Sequence, residues 1–121
     1  NITIYNFGLS NFTGESFFET KISYNYKQSS TYKVSKTGEE KSQLNKFDNI
    51  IDLKNKKLII KIDVEGHEKE VLEGMMKSIK SNSILLQIEI FDENFDAVNE
   101  ILVNNKFIYI KKIKSNYFYK K

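Results

Sequence analysis

Residues 59–74 read IIKIDVEGHEKEVLEG, and the fold turns on how an apolar run gives way to acids in the middle of them. Ile59, Ile60 and Ile62 keep a strand rhythm that stops at Asp63, after which Glu65, His67 and Glu68 crowd around Gly66. With its upstream neighbours the run KLIIKIDV (57–64) is apolar almost throughout, apart from Lys61. That pattern predicts a strand covered on both faces of a parallel sheet. Over 67–80, Val71, Leu72, Met75, Met76 and Ile79 recur at helical spacing and predict one helix with an apolar stripe. Acids in its first turn and lysines in its last match the helix dipole, and Glu73 with Lys77 makes a supportive i,i+4 pair.

Working downstream, 81–83 break the helical pattern and ILLQIEIF (84–91) reads as a second buried strand. Asp92 then caps a helix with Phe95, Val98, Ile101 and Leu102 on one face, ended by Asn104 and Asn105. FIYIKKI (107–113) and NYFYK (116–120) are close enough for an antiparallel hairpin across Ser115 and Asn116. Upstream, ITIYNF (2–7) predicts a strand ended by Gly8, and Gly14 turns the chain into an extended ESFFETK (15–21). Residues 23–46 are polar, with a turn signal at Thr37-Gly38, and read as a polar insertion in the domain. FDNIIDL (47–53) suits one or two helical turns. Strand, insertion, strand, helix, strand, helix, hairpin argues for an α/β fold whose sheet is mainly parallel, with an antiparallel pair at its end.

The composition removes several function classes. A chain of 121 residues with 40% hydrophobic residues makes one domain (1–121) with a real core. The absence of cysteine excludes disulfides and thiolate metal sites, and the single histidine excludes a multi-histidine centre, so no metal is expected. No apolar run approaches the ~20 residues of a membrane span and no signal-peptide pattern opens the chain, so a cytoplasmic protein is expected. The net charge of +3 comes from 19 basic residues, all lysine and spread along the chain. Nucleic-acid surfaces use arginine forks for phosphate and guanine, so no nucleic-acid partner is expected. Asn1 is not a methionine and the next residues already read as strand, which predicts that the chain begins inside a larger protein.

The acidic turn admits two readings. In open α/β sheets ligands bind beyond the carboxyl ends of the strands. Asp63 and Glu89 stand at two such ends, and strands ~4.8 Å apart would let both carboxylates face one crevice. Gly66 permits close approach of backbone or ligand. Alternatively, Asp63, Glu65 and Glu68 merely stabilise a helix N-terminus, at ~0.3–1 kcal/mol each. Capping explains Glu89 poorly, because a carboxylate inside a buried strand gains nothing from a dipole and is penalised by desolvation.

Residues 59–74 closely resemble the signature of the FkbM family of S-adenosylmethionine-dependent methyltransferases. There a buried strand runs into Ile-Asp-Val-Glu-Gly, a variable residue, Glu, and a Val-Leu-x-Gly helix. The matching positions are Ile62, Asp63, Val64, Glu65, Gly66, variable His67, Glu68, Val71, Leu72 and Gly74. ILLQIEI resembles the family's next strand, ending in an acid at Glu89, and FGLSNFTGES (7–16) its Leu-Ser turn followed by glycine. The resemblance implies a Rossmann-like class I methyltransferase sheet, the C-terminal hairpin being its antiparallel last strands. It implies S-adenosylmethionine as cofactor, with Leu9, Ser10, Asp63 and Val64 beside it. The acceptor implied is a hydroxyl of a sugar, glycan or secondary metabolite, met by Glu65, Gly66 and Glu68. Asp63 orients the hydroxyl or receives its proton, supported by Glu89, with Glu65 and His67 as further catalytic candidates. One departure is large. The family's cofactor half has a strand, a glycine-rich turn and a helix, whereas the five glycines here are isolated. The chain thus resembles the C-terminal part of one methyltransferase domain, lacking the N-terminal cofactor-binding strands, and is expected alone to bind cofactor weakly and to be inactive.

Two other classes compete. Asp63-Val64-Glu65-Gly66 is similar to the Asp-x-Asp-Gly strand end of magnesium-dependent haloacid dehalogenase-type phosphatases, but Phe91-Asp92-Glu93 is a poor second metal motif. The chain could instead be a non-catalytic interaction or assembly fragment of the same fold, self-associating through an exposed sheet edge.

Overall fold

The computed structural model describes residues 1–19, 22–23, 26–27, 33–38 and 40–121. Two four-stranded sheets organise them. The first contains β1 (Gly8–Leu9), β2 (Gly14–Glu19), β5 (Lys33–Ser35) and β6 (Glu40–Asn45) in the order β1-β6-β2-β5. β1 runs parallel to β6, while β2 is antiparallel to both β6 and β5. A separate two-stranded ribbon joins β3 (Ile22–Ser23) to β4 (Tyr26–Lys27). The second sheet, β7 (Lys57–Ile62), β8 (Ser83–Glu89), β9 (Ile108–Ile113) and β10 (Asn116–Lys120), has the order β7-β8-β10-β9. β10 inserts antiparallel between β8 and β9, so β7, β8 and β9 share one direction. The α/β character holds, but both sheets are mixed where a mainly parallel sheet was expected. The short turn between β9 and β10 makes that pair antiparallel, because a two-residue turn joins only antiparallel strands.

Helices cover one face of the second sheet. Strand residues Ile62, Ile84, Leu86, Ile88, Tyr117 and Tyr119 alternate into a single core with Val71, Leu72, Met75, Ile79, Val98 and Leu102. The opposite face of β7 and β8 is open: Ile59 is 86% exposed and Leu85 is exposed too. The two-sided burial expected of residues 57–64 is therefore wrong. Burial follows period two along β7, so this continuous apolar run serves a sheet with one covered face.

The predicted helix over 67–80 is two helices, α2 (Glu68–Glu73) and α3 (Met76–Ser81). At the break, Gly74 N–H donates to Glu70 O and Met75 N–H to Leu72 O, a tightening that ends α2. The short helix α1 (Phe47–Ile50) supplies the cap that α3 lacks locally. Both Asp48 carboxylate oxygens accept from the first turn of α3, from Lys77 N–H (2.7 Å), Ser78 N–H (2.9 Å) and the Ser78 hydroxyl (2.7 Å). The break also separates Glu73 from Lys77. Glu73 instead meets Lys69 (3.9 Å) and Asn11 (2.7 Å), so the expected pair is absent.

Three smaller expectations also change. Residues 2–7 form no strand, and Ile2 and Ile4 are 91% and 88% exposed. Strand propensity needs a ladder, and no described strand runs beside them. Asp92 does not cap a helix. It opens a 3-10 turn, Asp92–Asn94, that leads into α4 (Phe95–Asn104). The hairpin turns one residue earlier than expected, at Lys114 and Ser115, with Lys114 at φ 54°. Parts of the polar stretch 23–46, and the last two residues expected to extend β2, lie outside the described residues. The described remainder is not a loop, because β5 and β6 are built into the first sheet and Leu44 of β6 is buried. No described helix is long and apolar enough to cross a membrane.

Candidate active site

The site forms where β7 and β8 end. Their parallel register sets Ile62 beside Ile88, so Asp63 and Glu89 leave the sheet side by side. The chain then reverses through Glu65 at φ 53° and Gly66 at φ 99°, two successive left-handed residues. At Gly66 this conformation is costless, whereas a side chain would be strained. The turn brings carboxylate oxygens of Asp63, Glu65 and Glu89 within 4.8 Å of one another. Such a set could share a proton or a cation, or accept several hydroxyl hydrogens from one ligand.

Neither Asp63 nor Glu65 makes a capping hydrogen bond to α2. His67 occupies the N-cap of α2, and no side chain makes a capping bond there. Asp63 pairs instead with Lys61 at 2.9 Å, two residues back on the same strand face. That hydrogen bond, helped by one with Glu89, holds the Asp63 carboxyl below its usual range against a smaller opposing effect of burial. Glu89 accepts a very short hydrogen bond from the Ser115 hydroxyl, delivered by the β9–β10 turn. Glu68 lies beneath the turn, fully buried: one oxygen accepts from Gly66 N–H (2.9 Å), the other has no partner among the described residues. Burial raises its pKa above the usual carboxylate value. It supports the turn from beneath. Val64 is half-buried and packs against the core.

Leu9 and Ser10 stand on the other side of α2. Leu9 packs on the core, and Ser10 is fully buried, its N–H donating to Asn45 O. Ser10 Oγ lies 2.9 Å from His67 Nε2, and His67 Nδ1 lies 3.4 Å from Glu70 Oε2. Burial lowers the His67 pKa more than Glu70 raises it. Gly74 lets the turn dock: a Cβ there would lie 1.9 Å from the Ser10 carbonyl oxygen. An open depression of about 240 Å³, lined by Lys33, Val34, Glu65, Gly66, His67, Glu93 and Asn94, adjoins the acidic turn. The structure therefore joins Asp63, Glu65 and Glu89 in one cluster, and Ser10 and His67 in another.

Lys61, Glu70, Asn94 and Ser115 were not singled out in the sequence. Only Lys61 carried a local signal, its two-residue spacing from Asp63. Asn94 reaches Gly66 O at 3.5 Å from 28 residues away, which no spacing rule reveals.

No curated protein and no solved structure matches the chain. The Methyltransferase FkbM domain matches residues 1–109, taking in the first strands, the acidic turn, both buried strands and only the start of the terminal hairpin's first arm. With nine-tenths of its length inside that match, the chain belongs to the FkbM methyltransferase domain family.

Proposed function

We propose that the protein carrying this domain transfers a methyl group from S-adenosylmethionine to a hydroxyl oxygen of a sugar, glycan or secondary metabolite. One observation carries the reading: three carboxylates converge at the carboxyl ends of two parallel strands in a chain of a methyltransferase family. The strand order β7-β8-β10-β9, with one antiparallel strand inserted, supports the Rossmann-like assignment.

The donor set fits part of the cofactor. Asp63, Glu65 and Glu89 can accept from ribose hydroxyls and an ammonium group, while half-buried Leu9 could border an adenine, with the fully buried Ser10 holding its turn from within. No glycine-rich turn is present in the chain to complete the cradle. When bound, the cofactor supplies an electrophilic methyl group on a sulfonium. The chain's own work is alignment first and proton removal second. Asp63 stays ionised beside Lys61 and so accepts a hydrogen bond from the acceptor hydroxyl, fixing its oxygen in line. Glu89, held by Ser115, keeps Asp63 in place. Glu65 faces the depression and holds further hydroxyls of a polyol. Glu68 shapes the turn from below.

Family membership favours methyl transfer over phosphoester hydrolysis. The test is Asp63→Asn in the intact gene product, with folding checked by circular dichroism. Methyl transfer should be lost from a folded variant. A folded variant with undiminished transfer removes Asp63 from the mechanism, and an intact protein that binds no cofactor supports the non-catalytic alternative.

A further inference from the structure

We propose that His67 is a positioning residue that fastens the Leu9–Asn11 turn to α2, and so sets the cofactor edge of the site. The catalytic consequence rests on the methyl-transfer reading above; the contacts themselves do not.

The chemistry of the partners fixes the ring. An ionised carboxylate only accepts, so Glu70 Oε2 at 3.4 Å favours the tautomer with hydrogen on Nδ1. That leaves a lone pair on Nε2, to which the Ser10 hydroxyl at 2.9 Å donates in preference to its longer contact with Asn11 Oδ1 at 3.4 Å. Nε2 is then committed to Ser10, while Nδ1 faces the Glu70 carboxylate across 3.4 Å. Further contacts follow the same side of α2. Asn11 Nδ2 donates to Glu73 Oε2 (2.7 Å), and Gly74 takes the Ser10 carbonyl against its Cα. Positions 67, 70, 73 and 74 form one helical stripe, and the turn lies along it.

Ser10, His67 and Glu70 have the connectivity of an activated serine nucleophile. Ser10 is fully buried, however, so no ester carbonyl can reach its Oγ, and the chain of contacts acts as a clasp. The clasp matters because Ser10 lies 57 residues from His67: it joins the end of the first strand to the turn that bears the acids.

Two measurements on the intact gene product test this. Imidazole nitrogen shifts of ¹⁵N-histidine-labelled protein near neutral pH, with the His67 signal assigned by its loss in His67→Gln, report the tautomer. Hydrogen on Nδ1 with a bare Nε2 is expected, and His67 nitrogen shifts left unchanged by Ser10→Ala overturn the clasp. Calorimetry with S-adenosylhomocysteine as probe then reads its consequence. Ser10→Ala and His67→Ala should weaken binding about three- to tenfold, the scale of one buried hydrogen bond. His67→Gln, whose amide oxygen can accept from Ser10, should restore wild-type affinity. If His67 were the base, His67→Gln would lose turnover as fully as His67→Ala while both kept affinity, and that result overturns the proposal. Absence of any probe binding by the wild type refutes the methyl-transfer reading and the cofactor-edge role with it, while the response of the His67 nitrogen shifts to Ser10→Ala separately decides whether the clasp exists.

Discussion

Replacing Gly74 by alanine isolates the docking of the Leu9–Asn11 turn. In an ordinary helix end with φ −74° and ψ −8°, Gly→Ala stabilises by ~0.4–1 kcal/mol through the unfolded chain. Here the new methyl would lie 1.9 Å from Ser10 O and 2.9 Å from Ser10 C, both backbone atoms with little freedom to move. Overpacking of this kind costs ~1–3 kcal/mol. Lifting the turn also stretches the Ser10–His67 and Asn11–Glu73 hydrogen bonds, each worth about 1 kcal/mol net. These effects leave a loss of roughly 2 kcal/mol. Urea unfolding followed by circular dichroism is the assay. With m near 1–3 kcal/mol per molar, the midpoint should fall by about 0.7–2 M at unchanged m. A midpoint equal to the wild type, or above it, would show that the turn is not seated on α2 as described.

Two further substitutions probe the scaffold. Asp48→Ala removes the acceptor of three hydrogen bonds at the start of α3 and should cost ~0.5–2 kcal/mol, read as a lower urea midpoint; no change would mean that solvent caps α3 equally well. Glu68→Gln tests the buried carboxyl by its pH dependence. The folded pKa is raised above 4.5, so the native state binds the proton more tightly, and stability falls as pH rises from 4.5 through the folded value. The variant lacks that decline and should gain on the wild type across that window; a constant difference from about pH 4 to 8 refutes the assignment. His67 acts with the opposite sign. Its lowered folded pKa gives stability that is full above 6.5 and is lost as pH falls toward the folded value. His67→Gln should flatten that rise.

Local patterns carried the reading where the determinants are themselves local. The strand ending on Asp63, the turn at Gly66 and the strand ending on Glu89 follow from apolar runs and from residues at their ends, and the side-by-side placing of Asp63 and Glu89 follows from strand spacing. The misses share a cause: partners distant in sequence. β6 hides in a polar stretch because Leu44 is its one buried side chain, its strand character coming from pairing with β1 and β2. Residues 2–7 have strand propensity with no described strand to pair with. The break at Gly74 depends on the Ser10 carbonyl and on an aspartate 29 residues from the helix it caps. Capping by acids near α2 was a sound electrostatic expectation, yet Lys61 and the acidic cluster engage those carboxylates instead.

The bare outer edge of β7 has a selectivity of its own. Its ladder groups on that side meet no described strand, and its outward side chains run Lys57, Ile59, Lys61. Two copies pairing antiparallel about Ile59 would set Lys57 of each against Lys61 of the other. Pairing them parallel in register would stack like on like. Either way, cations stand directly opposite one another, which destabilises a ladder. The edge thus carries a built-in repulsion toward its own kind, as protective lysines do on other free edges. A strand with neutral or acidic residues at those two places would meet no such barrier, so charge alone ranks the company this edge can keep.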